Sequence, residues 1–104
     1  MAITHKQLVA PQLLTGTQAT LYTVPASTST QLRAFSVTNT TAAPVELQVW
    51  LGGTAAANLV EKKTLAASET YLCIQAINQM LKAGDVIAAQ GNGLSIMVSG
   101  AEIV

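Results

Sequence analysis

The sequence predicts an all-β fold: a single-domain antiparallel β-sandwich, jelly-roll-like, with about eight short strands and one short helical turn. β-branched and alternating apolar residues recur about every ten positions, separated by turn residues, which is the spacing of sandwich strands. A sustained helical period is almost absent from the chain. Because 104 residues suit one domain, we expect residues 1–104 to form a single unit without a linker.

The first strand is predicted at residues 7–14, where Leu8 is the apolar residue expected to pack. Pro11 lies inside this segment, and proline is confined to edge strands and bulges. Residues 1–16 are therefore expected to form either an edge strand or an N-terminal arm that reaches a neighbouring subunit. A second short strand, at 20–24, ends at Pro25, which has no N–H to donate.

Two strands follow in the middle of the chain. In residues 31–39, alternation places Arg33, Phe35 and Val37 on one face, and it leaves open which face is buried. Residues 45–51 alternate more clearly. Their odd-numbered positions are apolar, so Trp50 on the other face is expected to point away from the core.

The second half of the chain contains five further elements. A charged strand at 59–65 is expected at a sheet edge, and another strand is expected at 69–74. Apolar residues at 76, 77, 80 and 81 have helical spacing, which predicts one helical turn within 75–82. Strands at 86–90 and 94–98 flank the Asn92-Gly93 pair, so a type I′ hairpin is expected there. The predicted core positions are Val45, Leu47, Val49, Leu94, Ile96 and Val98.

Charge is scarce and balanced in this chain. Only 10% of residues are charged, against about 25% in an average domain, while 50% are hydrophobic. Five basic and five acidic residues give no net charge, so a nucleic-acid backbone is not an expected partner. No apolar run is long enough to span a membrane, so a membrane is not an expected partner. A surface this poor in charge is expected to be buried in part against other proteins.

Catalytic, cofactor and metal sites are not expected. The single histidine, His5, is near the terminus without an orienting partner, and a solvated polar role is far more common for such a residue. Cys73 lies between apolar residues of a predicted strand and is expected to be a small packing residue. One histidine and one cysteine cannot fill a tetrahedral zinc site.

Trp50 is the strongest interface candidate, because tryptophan is enriched at protein interfaces. Packing on the sheet face and stacking against a sugar are the alternatives for this side chain. The predicted interface residues are Trp50, Gln48, Glu46, Gly52, Gly53, Leu8 and Pro11.

Five segments together resemble small β-sandwich virion proteins of tailed bacteriophages and prophages. They cover nearly the whole chain from Tyr22 onward, as patterns of turn and strand residues. These segments are LYTVPA at 21–26, VTNT at 37–40, LAASETY at 65–71, LKAGDVI at 81–87 and VSGAEI at 98–103.

The resemblance implies a structural virion protein made in the bacterial cytoplasm. We expect a capsid cement or decoration protein that stabilises the shell through multivalent non-covalent contacts. The expected partners are further copies of the chain, as a homotrimer, and the major capsid protein or other virion proteins. The alternatives are a tail, baseplate or fibre accessory protein, and a glycan-binding host-recognition module.

Overall fold

Two antiparallel sheets pack face to face in the computed structural model, which describes residues 2–73 and 76–104. Within these residues the chain forms nine strands and one short 3₁₀ helix, Ala56–Asn58. The strands are β1 (Ile3–Leu13), β2 (Ala19–Thr23), β3 (Ser29–Asn39), β4 (Val45–Leu51), β5 (Leu59–Leu65), β6 (Thr70–Leu72), β7 (Met80–Leu81), β8 (Val86–Gln90) and β9 (Leu94–Ile103).

The strand order is that of a jelly roll. One sheet has the order β1-β9-β3-β6, with β7 also paired to β3, and the other has the order β2-β8-β4-β5. Strands β6 and β7 pair with opposite halves of β3, so together they act as one interrupted strand. The molecule is thus an eight-stranded double sheet, which confirms the predicted fold class.

The N-terminal segment is an edge strand of its own sheet. β1 pairs only with β9, in a register that runs from Ile3 opposite Ile103 to Leu13 opposite Ser95. Pro11 lies between the paired residues Val9 and Gln12, where the register shifts, so its missing N–H interrupts no regular ladder. In this single chain Ile3–Leu13 forms an edge strand, and an arm that reaches a neighbouring subunit stays a prediction.

The core lies between the sheets and contains the predicted apolar positions. Five of the six predicted core residues are fully buried, and Val45 is partly buried against them. Strand β5 forms the edge of the four-stranded sheet, as its charged residues predicted.

A bulge in β3 explains why alternation alone left its buried face open. The register with β9 shifts between Leu32 and Ala34, so Arg33 is the extra residue. Leu32 and Phe35, three positions apart, are therefore both fully buried, whereas Arg33 is exposed.

The predicted hairpin between β8 and β9 is wrong. β8 pairs with β2 and β4, whereas β9 pairs with β1 and β3, so the connection crosses from one sheet to the other. The N–H of Leu94 donates to the carbonyl of Gly91 at 3.0 Å, closing a turn. Gly93 has a φ of 84° and Asn92 has no positive φ, which is the pattern of a type II turn and not of a type I′ turn.

The predicted helical turn in 75–82 is also wrong over its described part, and Gln75 lies outside the described residues. Asn78 has a φ of 68°, a left-handed conformation that ends any right-handed helix. Strand β7 follows directly, so the helix-like spacing of apolar residues comes from a turn and a strand that both contact the core. The one helical element of the described chain lies instead at Ala56–Asn58, in the connection between β4 and β5.

The side chain of Asn39, which is fully buried, links three segments at one end of the sandwich. Its Nδ2 group donates to the carbonyl oxygens of Ala43, Leu65 and Ala66 at 2.8, 3.1 and 3.1 Å. Its Oδ1 accepts from the N–H and the hydroxyl of Thr41 at 2.9 and 2.7 Å. One amide therefore joins the end of β3 to the β3–β4 connection and to the end of β5 in the opposite sheet.

We expect Asn39→Ala to lower the free energy of unfolding by about 2–4 kcal/mol, because it leaves buried carbonyl groups without donors. Urea denaturation followed by circular dichroism measures this change. Thr38→Ala is the matched control, because Thr38 makes its hydrogen bond to Thr70 at the surface and should cost under about 1 kcal/mol. Equal losses in the two variants would contradict the role assigned to Asn39.

Candidate interaction surface

The outer face of the five-stranded sheet is not covered by any other strand of the described residues. Core residues of β3 and β9 alternate with side chains that point outward, and strand pairing carries this alternation to β1, β6 and β7. We call this surface the outer sheet face. It consists of Ile3, His5, Gln7, Leu13, Ser29, Gln31, Ala34, Ser36, Thr38, Thr70, Leu72, Met80, Ser95, Met97, Ser99, Ala101 and Ile103.

Large apolar side chains are concentrated on the outer sheet face. Five of the six exposed large hydrophobic residues of the described chain lie here, with exposed fractions from 41% at Met97 to 63% at Leu13. The other three are Ile3 on β1, Leu72 on β6 and Met80 on β7. Isolated exposed apolar residues are common, but several on one flat face are typical of a protein-contact surface.

The outer sheet face contains no acidic residue and no lysine. His5 is its only titratable member, and Arg33 lies beside it at the bulge of β3. Its remaining polar members are serine, threonine and glutamine, which lose less hydration free energy on burial than charged groups do. Burial of this face against a partner would therefore remove few charged groups from water.

The outer face of the four-stranded sheet differs, because a loop covers part of it. Trp50 points outward there, as predicted, and lies opposite Ala88 and Leu59, yet it is only 7% exposed. The loop after β4 returns across this face, since the carbonyl of Thr54 accepts a hydrogen bond from Nε2 of Gln18, which precedes β2 on the far side of β8. The burial of Trp50 favours packing on the sheet face, and it leaves little ring surface for a partner or a sugar.

Two glycines shape the loop over Trp50. Gly52 has a φ of 88°, and a Cβ on Gly53 would lie 2.9 Å from Oδ1 of Asn58. Asn58 in turn donates from Nδ2 to the carbonyl of Leu51 at 3.0 Å, which closes the loop. Both glycines were predicted as interface residues, and the structure gives them a role in loop geometry.

The other predicted interface residues are dispersed. Leu8 belongs to the core cluster and is only 8% exposed, because the irregular pairing of β1 turns it inward. Pro11 is exposed on the edge strand. On the opposite sheet, Nε2 of Gln48 donates to Oε1 of Glu46 at 2.8 Å. The structure does not bring these residues together with Pro11 into one patch.

Each of the five carboxylates accepts a hydrogen bond within the chain. Glu46 accepts from Gln48, as described, and Glu69 accepts from the N–H of Ala66 at 2.8 Å. Asp85 accepts from the N–H of Lys82 at 3.0 Å, which holds the pKa of its carboxyl below the usual value. The remaining two, Glu61 and Glu102, bind tyrosine hydroxyls.

Two tyrosine–glutamate pairs lie near the two open sides of the sandwich. The hydroxyl of Tyr22 on β2 donates to Glu102 on β9, and Lys6 of β1 contacts the same carboxylate at 3.3 Å. The hydroxyl of Tyr71 on β6 donates to Glu61 on β5. In each pair, one residue comes from each sheet, so both hydrogen bonds join the sheets.

These contacts change the acidity of both tyrosines. Burial and the bond to Glu102 raise the pKa of Tyr22 to about 12, and the bond to Glu61 followed by burial raises the pKa of Tyr71 to about 12. The bond from Tyr22 lowers the pKa of Glu102. Nζ of Lys63 also lies 5.1 Å from the centre of the Tyr71 ring.

The two side chains with potential chemical reactivity, Cys73 and His5, lie in different parts of the fold. Cys73 is fully buried, and desolvation raises the pKa of its thiol to about 11, so the thiol is protonated at neutral pH. His5 is exposed on β1. Residues 2–73 and 76–104 contain neither a pocket nor a group of three side chains placed to bind a metal ion. The same residues include no helix with the length and apolar character needed to cross a membrane.

No family model matches the chain, and no curated protein sequence is significantly similar to it. The outer sheet face is therefore identified from the strand register of this molecule and not from a relative. Sequence reasoning missed it because Met97, Leu72 and Met80 lie on three different strands, and only the pairing of those strands with β3 brings them onto one face. A signal was present in the alternation of Met97 with the core residues Ile96 and Val98.

We expect Trp50→Ala to lower the free energy of unfolding by about 3 kcal/mol, since it removes a large buried side chain. Thermal or urea unfolding measures the loss. Thr64→Ala, an exposed position of β5 on the same outer face, is the control and should change stability by less than about 0.5 kcal/mol. A fully stable Trp50→Ala protein would show that the ring serves a partner and not the fold.

We expect stability to fall as pH rises from about 10 to about 12. A tyrosine whose pKa is raised in the folded state stabilises the fold below its unfolded pKa of 10.0, and this stabilisation is lost as pH approaches about 12. Urea midpoints across this range test the effect, and tyrosinate absorbance reports the two pKa values directly.

The matched control is the double variant Tyr22→Phe, Tyr71→Phe. It should be less stable at neutral pH, yet its urea midpoint should depend less on pH between 10 and 12, because both titrating hydroxyls are gone. Folded-state tyrosine pKa values close to 10 would contradict the two inter-sheet hydrogen bonds.

Proposed function

We propose that this protein is a structural component of a tailed-phage virion, a capsid cement or decoration protein that stabilises the shell through multivalent non-covalent contacts. The observation that carries the proposal is the outer sheet face, a surface with exposed apolar side chains and without acidic residues or lysines. Such a surface suits binding to other proteins better than binding to ions or small charged molecules.

The resemblance segments support the proposal through the turns they form. In LAASETY, Ser68 has a φ of 63° and Glu69 accepts from an N–H three residues earlier. In LKAGDVI, Gly84 has a φ of 87° and Asp85 accepts in the same way from Lys82. The VTNT segment contains Asn39, with its five hydrogen bonds. The segments that carry the resemblance thus contribute turns and buried contacts to the sandwich, and in this way they support a resemblance in fold.

Multivalency makes weak contacts sufficient on a lattice. A protein bound through several copies gains effective concentration at each further contact, so no single interface has to be strong. The low charge of this chain, 10% of residues, favours such association, because few charged groups lose their hydration at each contact.

The proposal is tested with virions assembled with and without this chain. We expect virions that lack it to lose infectivity and release DNA at a lower temperature or a smaller osmotic shock. Purified chain added back should restore their resistance.

Unchanged resistance without the chain would overturn the cement function. Unchanged resistance combined with slower adsorption to host cells would favour the glycan-binding alternative. Loss of tails from otherwise resistant heads would favour the tail accessory alternative.

A further inference from the structure

We propose that the outer sheet face binds a second copy of this chain, face to face, in a dimer with two-fold symmetry. This inference rests on the surface used for the proposed function and names the occupant of that surface. It differs from the homotrimer expected from the sequence. When the same face of two copies packs together, the contact has two-fold symmetry and closes with two chains.

The charge distribution favours a second copy as the occupant. A strongly charged partner would find no opposite charge on the outer sheet face beyond Arg33 and His5. A second copy presents the same surface, so two such faces bring neither carboxylates nor lysines together, and Arg33 is the one arginine that each copy places beside the contact. The other outer face of the molecule is a poorer match, since it presents Glu46 and Lys62 and is partly covered by the loop over Trp50.

The available area is that of a stable interface. Strands β1, β3 and β9 contain 11, 11 and 10 residues. At about 3.3 Å per residue and about 4.8 Å between strands, four strands cover a face of roughly 650 Å². Two such faces would bury about 1,300 Å², which falls within the range of about 1,200–2,000 Å² for specific interfaces.

The arrangement of side chains on this face is self-complementary. Its two central strands carry mostly small residues, such as Ala34, Ser36 and Ser99, which let two sheets approach closely. The large apolar residues lie mainly on the two sides of the face, with Leu72 and Met80 on one side and Ile3 and Leu13 on the other.

A two-fold axis parallel to the strands and between β3 and β9 matches these two sides. It places the β6–β7 side of one copy over the β1 side of the other. Leu72 and Met80 then face the region of Leu13 and Ile3 in the second copy, and Met97 lies over the small Ser36. Apolar side chains thereby meet apolar side chains at both margins of the interface.

The test is the solution mass of the purified chain and its variants, measured by light scattering after size exclusion and by sedimentation equilibrium. We expect the mass of two chains, unchanged at high salt, because the interface contains no ion pairs among the residues of the outer sheet face. Met97→Lys should raise the dissociation constant at least about 100-fold, since it buries two like charges in one interface.

Two further variants keep the test independent of folding. Leu72→Lys places the charge at an exposed edge of the same face and should also give the mass of one chain. Thr64→Lys adds the same charge to the outer face of the other sheet and should leave the mass of two chains. Circular dichroism and melting temperature should show that all three variants fold.

A wild-type mass of one chain, or of three chains, would overturn the face-to-face dimer. Folded Met97→Lys and Leu72→Lys proteins that keep the mass of two chains would overturn it as well. The dimer and the cement function can fail independently. If the chain is a dimer but has no effect on virion resistance, the dimer stands and the cement function is overturned. If the chain is a monomer that still protects virions, the cement function stands and the dimer is overturned.

Discussion

The buried amide of Asn39 is the constraint on which one whole end of this sandwich depends. From the end of β3 in one sheet, its donors and acceptor reach backbone groups of the β3–β4 connection and of the end of β5 in the other sheet. Apolar packing between sheets has no direction and tolerates sliding, whereas these hydrogen bonds fix one register. The end of β3, the β3–β4 connection and the turn after β5 therefore adopt one arrangement around a single side chain.

The few charged residues of this chain mostly serve the fold. Glu69 and Asp85 each bind the N–H three residues earlier and close the turns that precede β6 and β8. Glu61 and Glu102 bind tyrosines from the opposite sheet. Carboxylates used in this way stabilise turns and sheet packing, and they leave the outer sheet face neutral. The outer sheet face has no carboxylate because the five acidic residues of the chain all lie elsewhere in the fold.

Sequence predicted the strands best where turn residues border them. Pro44 and Gly52 border β4, and Gly84 and Gly91 lie on either side of β8, so the bounds of both strands follow from these residues, with alternation in β4 as well. The bulge at Arg33 escaped prediction, because one extra residue reverses the alternation without any local signal. The hairpin at Asn92-Gly93 was wrong for a related reason: the same dipeptide fits a turn that changes sheets, and the choice depends on distant partners of β8 and β9.

The candidate surface was harder to predict than the fold. Trp50 has the pattern of an exposed aromatic residue, and only a loop that returns across the sheet buries it. Met97 and Leu72 belong to one surface because both flank Ser36, which no local pattern reveals.

The order of the strands also affects synthesis of the chain. β8 and β9 are the central partners of β2, β4, β1 and β3, so neither sheet can close until the C-terminal strands have left the ribosome. A chain truncated before β9 leaves β1 and β3 without their shared neighbour, so it cannot form the five-stranded sheet.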